Sequence, residues 1–407
     1  MSSEPDGIVV VGAGLAGLRT AAALRSHGYA GRLTIVGDEP HHPYDRPPLS
    51  KEVLVGRRSA ADTLLPLPED LEARWILGRS AISLNRAQRS VDLDDGTRLR
   101  YRALVIATGA SARTWPGPAA PPAAGVHTLR RLQDALALQA ALARGGPLLV
   151  IGAGFIGSEV ASSARELDVP VTLVDTVRWP MGSAIGSAAG AFIARIQRRS
   201  GVDLRLGTAV AEFTGGHVLT GARLTDGTYI PAKAALLSLG AVPNTGWLRS
   251  SGLRLGGGVA CDTRCRPLTT GGTPAERIVA VGDVAALPVP TPARGKGRLA
   301  HMATGHWSDA TAQAEIAAAT LLRAEATEAG LPAFSFWSDQ FGLRIRSVGL
   351  PRLADQAEVH EQDVDRRRLE VSYRREGRLI GALVVNRPSR LSDYRTRLAA
   401  EEGHSVK

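Results

Sequence analysis

The chain has 407 residues, which is room for about two to four domains. Hydrophobic residues make up 44 % of it and charged residues 22 %, which is typical of a globular rather than a disordered protein. No apolar run is long enough to cross a bilayer, and the first one follows Glu4 and Asp6, the wrong flank for a signal peptide. We therefore expect a cytoplasmic protein.

The formal net charge is +10, spread over single arginines rather than gathered in a basic tail or helix. Nucleic-acid binding is therefore not expected, and an acidic protein partner fits better, because a basic surface speeds a transient encounter. The two cysteines, Cys261 and Cys265, have no C-x-x-C spacing and belong to no larger His/Cys cluster. We interpret them as reduced thiols near a strand and predict no metal site.

The first element is a short apolar strand that breaks into a glycine-rich turn. Ile8 to Leu18 reads IVVVGAGLAGL, and a helix is predicted over residues 15–26. The turn contains the G-x-G-x-x-G glycines Gly12, Gly14 and Gly17. In this motif the first glycine makes the turn, the second lets backbone amides approach a pyrophosphate, and the third allows close packing of helix on strand.

A second strand, predicted over residues 32–36, leads to two acidic residues. Asp38 and Glu39 lie about twenty residues beyond the glycines, where a carboxylate accepts hydrogen bonds from an adenosine ribose, and we prefer Asp38. HHPYDRPPLSKEVL then predicts a proline-braced loop that turns into a helix at about Leu49.

The next segments predict a small antiparallel insertion, a buried strand and a linker. RSVDLDDGTRLRY alternates polar and apolar residues over 89–101, and LVIATGA over 104–110 is a buried strand that ends in small residues. The Pro/Ala-rich stretch 114–125 has neither helical nor strand periodicity and indicates a linker, which an amphipathic helix follows.

A second copy of the glycine-rich turn then appears. Leu148 to Ser158 reads LLVIGAGFIGS, and the strand VTLVD delivers Asp175 about twenty residues after its glycines. These glycines are Gly152, Gly154 and Gly157. Two such turns predict two bound dinucleotides, and a chain that binds two dinucleotides is expected to pass electrons between them.

After a hairpin and strand that repeat the plan of the first half, RIVAVGDVA over 277–285 predicts a strand ending in Gly-Asp. A loop and a helix over 306–322 follow, and from about residue 331 the pattern indicates antiparallel strands and a charged terminal helix. The predicted fold class is therefore α/β: two doubly wound Rossmann-like dinucleotide-binding domains, the first discontinuous, plus a C-terminal α/β cap.

A series of motifs occurs in order along the chain and indicates a known family. The motifs are the first glycine motif, YDRPPLSK, ATG, GAGFIGSEVA, AVGD, HW and FWSDQ. Over nearly its whole length the chain resembles the FAD-dependent NADH:ferredoxin reductases of oxygenase systems, a putidaredoxin-reductase-like group within the glutathione-reductase superfamily. The resemblance implies that residues 1–112 and 241–322 bind FAD, that 113–240 bind NADH, and that 323–407 form the C-terminal domain.

The resemblance also implies which residues contact the cofactors. Asp283 is placed to accept hydrogen bonds from the ribityl chain, with a helix N-cap as the alternative, and Trp337 either lies near the flavin or packs in the core. The residues implied at FAD are Gly12, Gly14, Leu15, Ala16, Gly17, Asp38, Glu39, Arg46, Lys51, Ala81, Thr108, Gly109, Arg130, Gly282, Asp283, Trp307 and Trp337. Those implied at NADH are Gly152, Gly154, Phe155, Ile156, Gly157, Glu159 and Asp175, and Asp175 is expected to favour NADH over NADPH. Gly240 matches a family segment near the two cofactors.

Two residues carry the implied catalytic roles. Lys51, the lysine of RPPLSK, is similar to one that sits beside the flavin ring and favours its anionic reduced form. Glu159, in GFIGSE, is similar to a glutamate that pairs with that lysine and faces the nicotinamide. Since the flavin carries the hydride chemistry, both residues orient and tune it.

Alternatives from other functional classes stay open at this point. They are a reductase of rubredoxin or another small carrier, an NADH oxidase, and a signalling flavoprotein resembling apoptosis-inducing factor. The absence of a cysteine near the start of the first domain argues against a thiol-dependent oxidase or disulfide reductase. One departure concerns residues 303–307, where relatives have an R-L-E-x-W stretch and this chain reads ATGHW.

Overall fold

The computed structural model describes residues 7–290, 299–303, 305, 307–323 and 334–403. The chain divides into two compact units. The first unit contains the described residues of Met1–Asp45, Leu64–Ser111 and Val242–Phe334, and the second contains those of Arg46–Thr63, Ala112–Ala241 and Ser335–Lys407.

The helices are α1 Leu15–Ser26, α2 Leu132–Ala143, α3 Phe155–Glu166, α4 Gly182–Arg199, α5 Trp307–Leu322 and α6 Pro388–Gly403. The strands up to the second glycine motif are β1 Ile8–Val11, β2 Leu33–Gly37, β3 Ala73–Leu77, β4 Ala81–Asn85, β5 Ser90–Leu93, β6 Arg98–Arg100, β7 Ala103–Ile106, β8 Ala110–Ala112, β9 Val126–His127 and β10 Leu148–Ile151. The later strands are β11 Val171–Asp175, β12 Val202–Leu206, β13 Val210–Thr214, β14 Gly221–Leu224, β15 Tyr229–Pro231, β16 Ala234–Leu237, β17 Ala241–Pro243, β18 Val259–Ala260, β19 Ile278–Ala280, β20 Ala285–Pro290, β21 Leu299–Met302, β22 Ser335–Gln340, β23 Leu343–Gly349, β24 Gln356–Asp363, β25 Arg368–Arg375 and β26 Arg378–Val385.

The first unit is built on a parallel sheet with strand order β19-β7-β1-β2-β3. Every residue of β1, β2 and β7 is buried, as expected for parallel strands covered on both faces. The strand order reverses at β1, whose carboxyl end carries the first glycine turn, and such a switch point is where α/β sheets bind ligands. The predicted insertion is the antiparallel sheet β4-β5-β6.

The second unit repeats this plan in the parallel sheet β12-β11-β10-β16-β9, which reverses at β10. It also contains the antiparallel sheet β22-β23-β26-β25-β24, which α6 covers with buried Leu391, Tyr394 and Leu398. These sheets confirm the predicted fold class.

One predicted helix was wrong. The helix expected from about Leu49 is a short 3-10 turn, Pro47–Ser50. Lys51 then leaves helical geometry at φ −127° and ψ −102°, and residues 51–58 continue as turns. Pro47 and Pro48 are compatible with the first turn of a helix, but the backbone at Lys51 does not have α-helical dihedral angles. The segment between residue 285 and the helix at 306 was expected to be a loop, but β20 and β21 pair antiparallel within it. Residues 291–298 of this segment lie outside the described residues.

Candidate dinucleotide and electron-transfer site

The two glycine turns have the same local geometry. Gly12 and Gly152 have φ of +122° and +106°, which side chains with a Cβ rarely adopt. A Cβ on Gly12 would collide with the Ala107 carbonyl, and one on Gly152 with that of Ser238. At the third glycine, a Cβ would strike the carbonyl of the first glycine in both turns. Both turns therefore need glycine at their first and third positions for packing.

The second glycine of each turn faces open space. A Cβ placed on Gly14 or Gly154 would meet no heavy atom of the described chain within 4 Å. Each is the N-cap of a helix, and neither helix has a side-chain cap or an acidic residue in its first turn. Backbone amides at such an end are available to an anion. Each turn therefore fits the pyrophosphate of a dinucleotide.

The first-turn residues of the two helices differ in their surroundings. Leu15 and Ala16 of α1 are partly buried, and a Cβ on Gly282 would lie 2.7 Å from Ala16 Cβ, so the Gly-Asp segment passes directly beside the first turn. In α3 the ring of Phe155 packs edge-on against Phe336 with centroids 4.9 Å apart. Ile156 is 39 % exposed.

Acidic residues follow the second strand of each parallel sheet. Asp38 is exposed, and Glu39 Oε2 accepts a hydrogen bond from the Tyr44 hydroxyl at 2.6 Å. Asp175 Oδ2 accepts one from the Ala153 amide at 2.6 Å, and its Oδ1 accepts one from the Val177 amide at 3.2 Å. Asp175 is thus tied to the middle of the second glycine turn.

The remaining predicted FAD residues of the first unit lie at the ends of its strands. Thr108 and Gly109 follow β7 and are held by Asn244: Thr108 Oγ1 donates to the Asn244 carbonyl at 2.9 Å, and the Asn244 amide donates to the Gly109 carbonyl at 2.9 Å. Asp283 lies in a 3-10 turn, Gly282–Val284, whose Gly282 amide donates to Gln313.

Two further predicted residues of the first unit stand at element starts. Trp307 opens α5 and donates from Nε1 to Asp45 Oδ1 at 3.0 Å. Ala81 is the first residue of β4 and is partly buried. In segment 303–307, where the sequence differs from the R-L-E-x-W pattern of relatives, residues 304 and 306 lie outside the described part of the chain.

Arg46 and Arg130 meet in the second unit. Arg46 Nη1 donates to the Arg130 carbonyl at 2.6 Å, and the Arg130 amide donates to Asp134 at the start of α2. Gly240, at φ +90°, accepts a hydrogen bond from the Arg113 amide. Trp337 is partly buried on β22.

Lys51 and Glu159 form an ion pair, as the resemblance implied. Lys51 Nζ lies 2.6 Å from Glu159 Oε2, and the two side chains are 15 % and 5 % exposed. The same oxygen accepts the Ser50 hydroxyl at 2.6 Å, while Lys51 Nζ also donates to the Pro47 carbonyl at 3.1 Å. A charge pair so well buried needs these extra hydrogen bonds to offset its desolvation.

The sequence reasoning missed Ser50, Ser338 and Gln340. Ser338 Oγ donates to Glu159 Oε1 at 2.7 Å, and Gln340 Nε2 donates to Ser338 Oγ at 3.0 Å. All three residues are buried. A signal was present, because alternation along FWSDQ places residues 336, 338 and 340 on one face of a strand.

The two cysteines are free thiols buried in the core of the first unit. Burial raises the pKa of Cys265 to about 12, and burial together with neighbouring charge raises the pKa of Cys261. Within the part of the chain that the structure describes, no cluster of His, Cys, Asp or Glu could hold a metal ion. Nor does any helix there have the length and hydropathy to span a membrane.

Two glycine turns at the switch points of two parallel sheets define an oxidoreductase that binds two dinucleotides. The pyridine nucleotide-disulphide oxidoreductase family model matches residues 6–313, and the reductase C-terminal model matches residues 335–406. The chain belongs to the pyridine nucleotide-disulphide oxidoreductase family. This family and the ferredoxin--NAD(+) reductases among the relatives imply FAD and NADH as cofactors.

The relatives include ferredoxin reductases, several of which are named as components of dioxygenase systems. The chain is 35 % identical over 398 residues to rhodocoxin reductase of Rhodococcus erythropolis, covering 97 % of this chain and 90 % of that one. It is 36 % identical over 352 residues to the ferredoxin--NAD(+) reductase component of the p-cumate 2,3-dioxygenase system of Pseudomonas putida, covering 86 % and 82 %. The crystal structure of the covalent putidaredoxin reductase-putidaredoxin complex matches with a TM-score of 0.88 at 30 % identity, covering 98 % of this chain and 94 % of that one.

Proposed function

We propose that this protein transfers electrons from NADH, through a bound FAD, to an iron-sulfur ferredoxin that supplies a haem monooxygenase or a Rieske oxygenase. The observation that carries the proposal is the duplicated glycine turn, one in each unit, with the same open second glycine. Bound FAD supplies the conversion between two-electron and one-electron transfer, so the chain needs no catalytic thiol.

The binding roles are divided between the glycine turns. Residues 1–112 and 241–322 hold FAD, with the α1 amides at the pyrophosphate and Asp38 at the ribose. Residues 113–240 hold NADH, with the α3 amides at the pyrophosphate and Asp175 at the ribose, where a carboxylate repels the additional phosphate of NADPH.

Lys51 and Glu159 orient the reacting groups. The Lys51 ammonium is held by Glu159, Ser50 and the Pro47 carbonyl. In this position its fixed positive charge would stabilise negative charge that develops on bound FAD, and a fixed charge does so without reorganisation. Residues 323–407 form the C-terminal domain.

We infer that the partner is an acidic ferredoxin, and the chain is similar to a reductase whose covalent complex with putidaredoxin has been solved. A net charge of +10 favours steering of an acidic protein, and this attraction falls with ionic strength. We further infer a cytoplasmic location, because the reductant NADH is a cytoplasmic metabolite.

The test is anaerobic reduction of the purified protein by NADH and by NADPH, followed by candidate ferredoxins from the same source. We expect a yellow protein that NADH bleaches faster than NADPH, and that is reoxidised as the ferredoxin is reduced. Turnover should slow as salt is added. A protein that contains no flavin and cannot be reconstituted with FAD would overturn the proposal.

A further inference from the structure

A buried polar network surrounds Glu159 in the second unit. We use the name Glu159 network for Ser50, Lys51, Glu159, Ser338 and Gln340. Lys51 and Ser50 both contact Oε2 of the carboxylate, whereas Oε1 accepts from Ser338 at 2.7 Å. Ser338 is therefore the hydrogen-bond donor that the structure shows at Oε1 of the Glu159 carboxylate.

Ser338 is held in register by the strand that carries it. In β22 the residues at 336, 338 and 340 are buried, and those between them are partly exposed. Phe336 packs on Phe155 at one end of α3, and the Phe341 amide donates to Ser162 Oγ at 2.7 Å further along the helix. These two contacts flank Ser338 and place its hydroxyl opposite Glu159.

Gln340 sets the direction of the Ser338 hydroxyl. Gln340 Nε2 donates to Ser338 Oγ at 3.0 Å, so this oxygen acts as an acceptor on one side and points its own proton toward Glu159 Oε1. Hydrogen bonds arranged in such a chain polarise and strengthen one another at low dielectric.

We propose that Ser338 is a positioning residue for the Lys51–Glu159 ion pair, through which the C-terminal domain takes part in flavin reduction. This rests on the proposed function. Without the Ser338 hydroxyl, a buried carboxylate oxygen loses its donor, and the carboxylate is then held on the Oε2 side alone. Its rotation would displace the Lys51 ammonium, which contacts Oε2.

The experiment compares Ser338→Ala with a matched control, Ser347→Ala, in the FAD-loaded protein. Ser347 is also buried in the C-terminal sheet, but its hydroxyl donates to the Ala382 carbonyl at 2.9 Å. By anaerobic stopped flow, we expect Ser338→Ala to lower the limiting rate of flavin reduction by NADH about tenfold with little change in the apparent Kd for NADH. Ser347→Ala should keep the wild-type rate.

Gln340→Met separates positioning from stability. Among the described residues, Gln340 Oε1 has no hydrogen-bond partner although it is buried. Methionine has a similar size, and it lacks both the unsatisfied oxygen and the amide that donates to Ser338. We therefore expect urea unfolding to show equal or higher stability. Flavin reduction should nevertheless slow about threefold, because Ser338 loses its hydrogen-bond donor. A purely structural role predicts that rate and stability change together.

A double-mutant cycle tests whether Ser338 acts through Glu159. In a Glu159→Gln background the charged acceptor is gone, so Ser338→Ala should change the limiting rate less than twofold. The unfolding free energies of the wild type, the two single variants and the double variant measure the coupling between Ser338 and Glu159 independently of activity. We expect the two substitutions to have non-additive effects on stability as well.

The outcomes separate this inference from the proposed function. If the wild type is not reduced by NADH, the proposed function fails. If the wild type is reduced normally and Ser338→Ala reacts at the same rate, or Ser338→Ala slows the Glu159→Gln protein equally, the inference alone fails. If Ser338→Ala does not fold, Gln340→Met decides, and a wild-type rate in that variant overturns the inference.

Discussion

Lys51 Nζ lies 2.6 Å from Glu159 Oε2, and Arg57 forms a second ion pair with Glu166 on the same helix. The first pair is buried and the second exposed, although both join residues 46–63 to α3. The chain therefore contains an internal comparison between a buried ion pair, for which we propose a role in flavin reduction, and an exposed one.

Removing the Lys51 charge should affect both stability and flavin reduction. Lys51→Met leaves the Glu159 carboxylate buried without its cation, which costs about 3 to 5 kcal/mol when one partner of a buried pair is lost. We expect reduction by NADH to slow at least about tenfold. Urea unfolding and anaerobic stopped flow measure the two effects. Arg57→Met is the control and should change stability by less than about 1 kcal/mol.

The open glycines allow each cofactor to be tested separately. Gly14→Ala adds a methyl group where FAD pyrophosphate is proposed, and we expect the protein to fold but purify largely without flavin. Gly154→Ala should keep FAD and raise the apparent Kd for NADH about tenfold or more. Gly256→Ala is the control, because a Cβ there also meets nothing within 4 Å among the described residues. Full flavin content in Gly14→Ala would contradict the first assignment.

Asp175 is expected to have two roles that a single substitution reveals together. Asp175→Ala should lower kcat/KM for NADH about tenfold and narrow its advantage over NADPH. It should also lower the melting temperature, because the Ala153 amide loses its acceptor. Asp203→Ala on the neighbouring strand removes an exposed carboxylate paired with Arg205 and serves as the control. An unchanged nucleotide ratio argues against the ribose assignment.

Acid should weaken the C-terminal domain through Glu370. Burial raises the pKa of this carboxyl, but hydrogen bonds from Arg390 and Tyr394 outweigh burial and hold the pKa below its ordinary value of 4.5. The ionised Glu370 carboxylate therefore stabilises the folded state above about pH 4.5. This stabilisation is lost as the pH falls through the lower pKa that Glu370 has in the folded state. Glu370→Gln should cost about 2 kcal/mol at pH 7 and flatten the pH dependence of unfolding below pH 5. Glu358→Gln, at an exposed carboxylate of the same sheet, should do neither.

The buried thiols should be inert in the folded protein. Since burial raises the pKa of both Cys261 and Cys265, little thiolate forms at pH 8. We expect iodoacetamide to label neither residue until urea unfolds the chain, as followed by mass spectrometry. The double variant Cys261→Ala/Cys265→Ala should retain NADH-dependent ferredoxin reduction. Loss of turnover in a folded, FAD-loaded double variant would point to thiol chemistry instead.

Much of the fold could be predicted because its signals are local. A buried strand, a glycine turn and a helix are contiguous in the sequence, so this order was predicted at both glycine motifs, and the helix predicted over residues 15–26 is α1 with the same bounds. The helix expected at Leu49 was wrong because residues 51–58 take a backbone path that no local pattern specifies.

By itself, the sequence determined where the two dinucleotide turns lie and, through a family resemblance, that Lys51 and Glu159 belong together. Only the tertiary structure decided how that pair is held. Ser338 and Gln340 lie far along the chain in β22, and alternation along this strand indicates only that they share a face, not that this face meets Glu159. The hydrogen bond from Ser338 to Glu159, and that from Gln340 to Ser338, depend on the register of β22 against α3, which the ring contact of Phe336 with Phe155 and the hydrogen bond from Phe341 to Ser162 set.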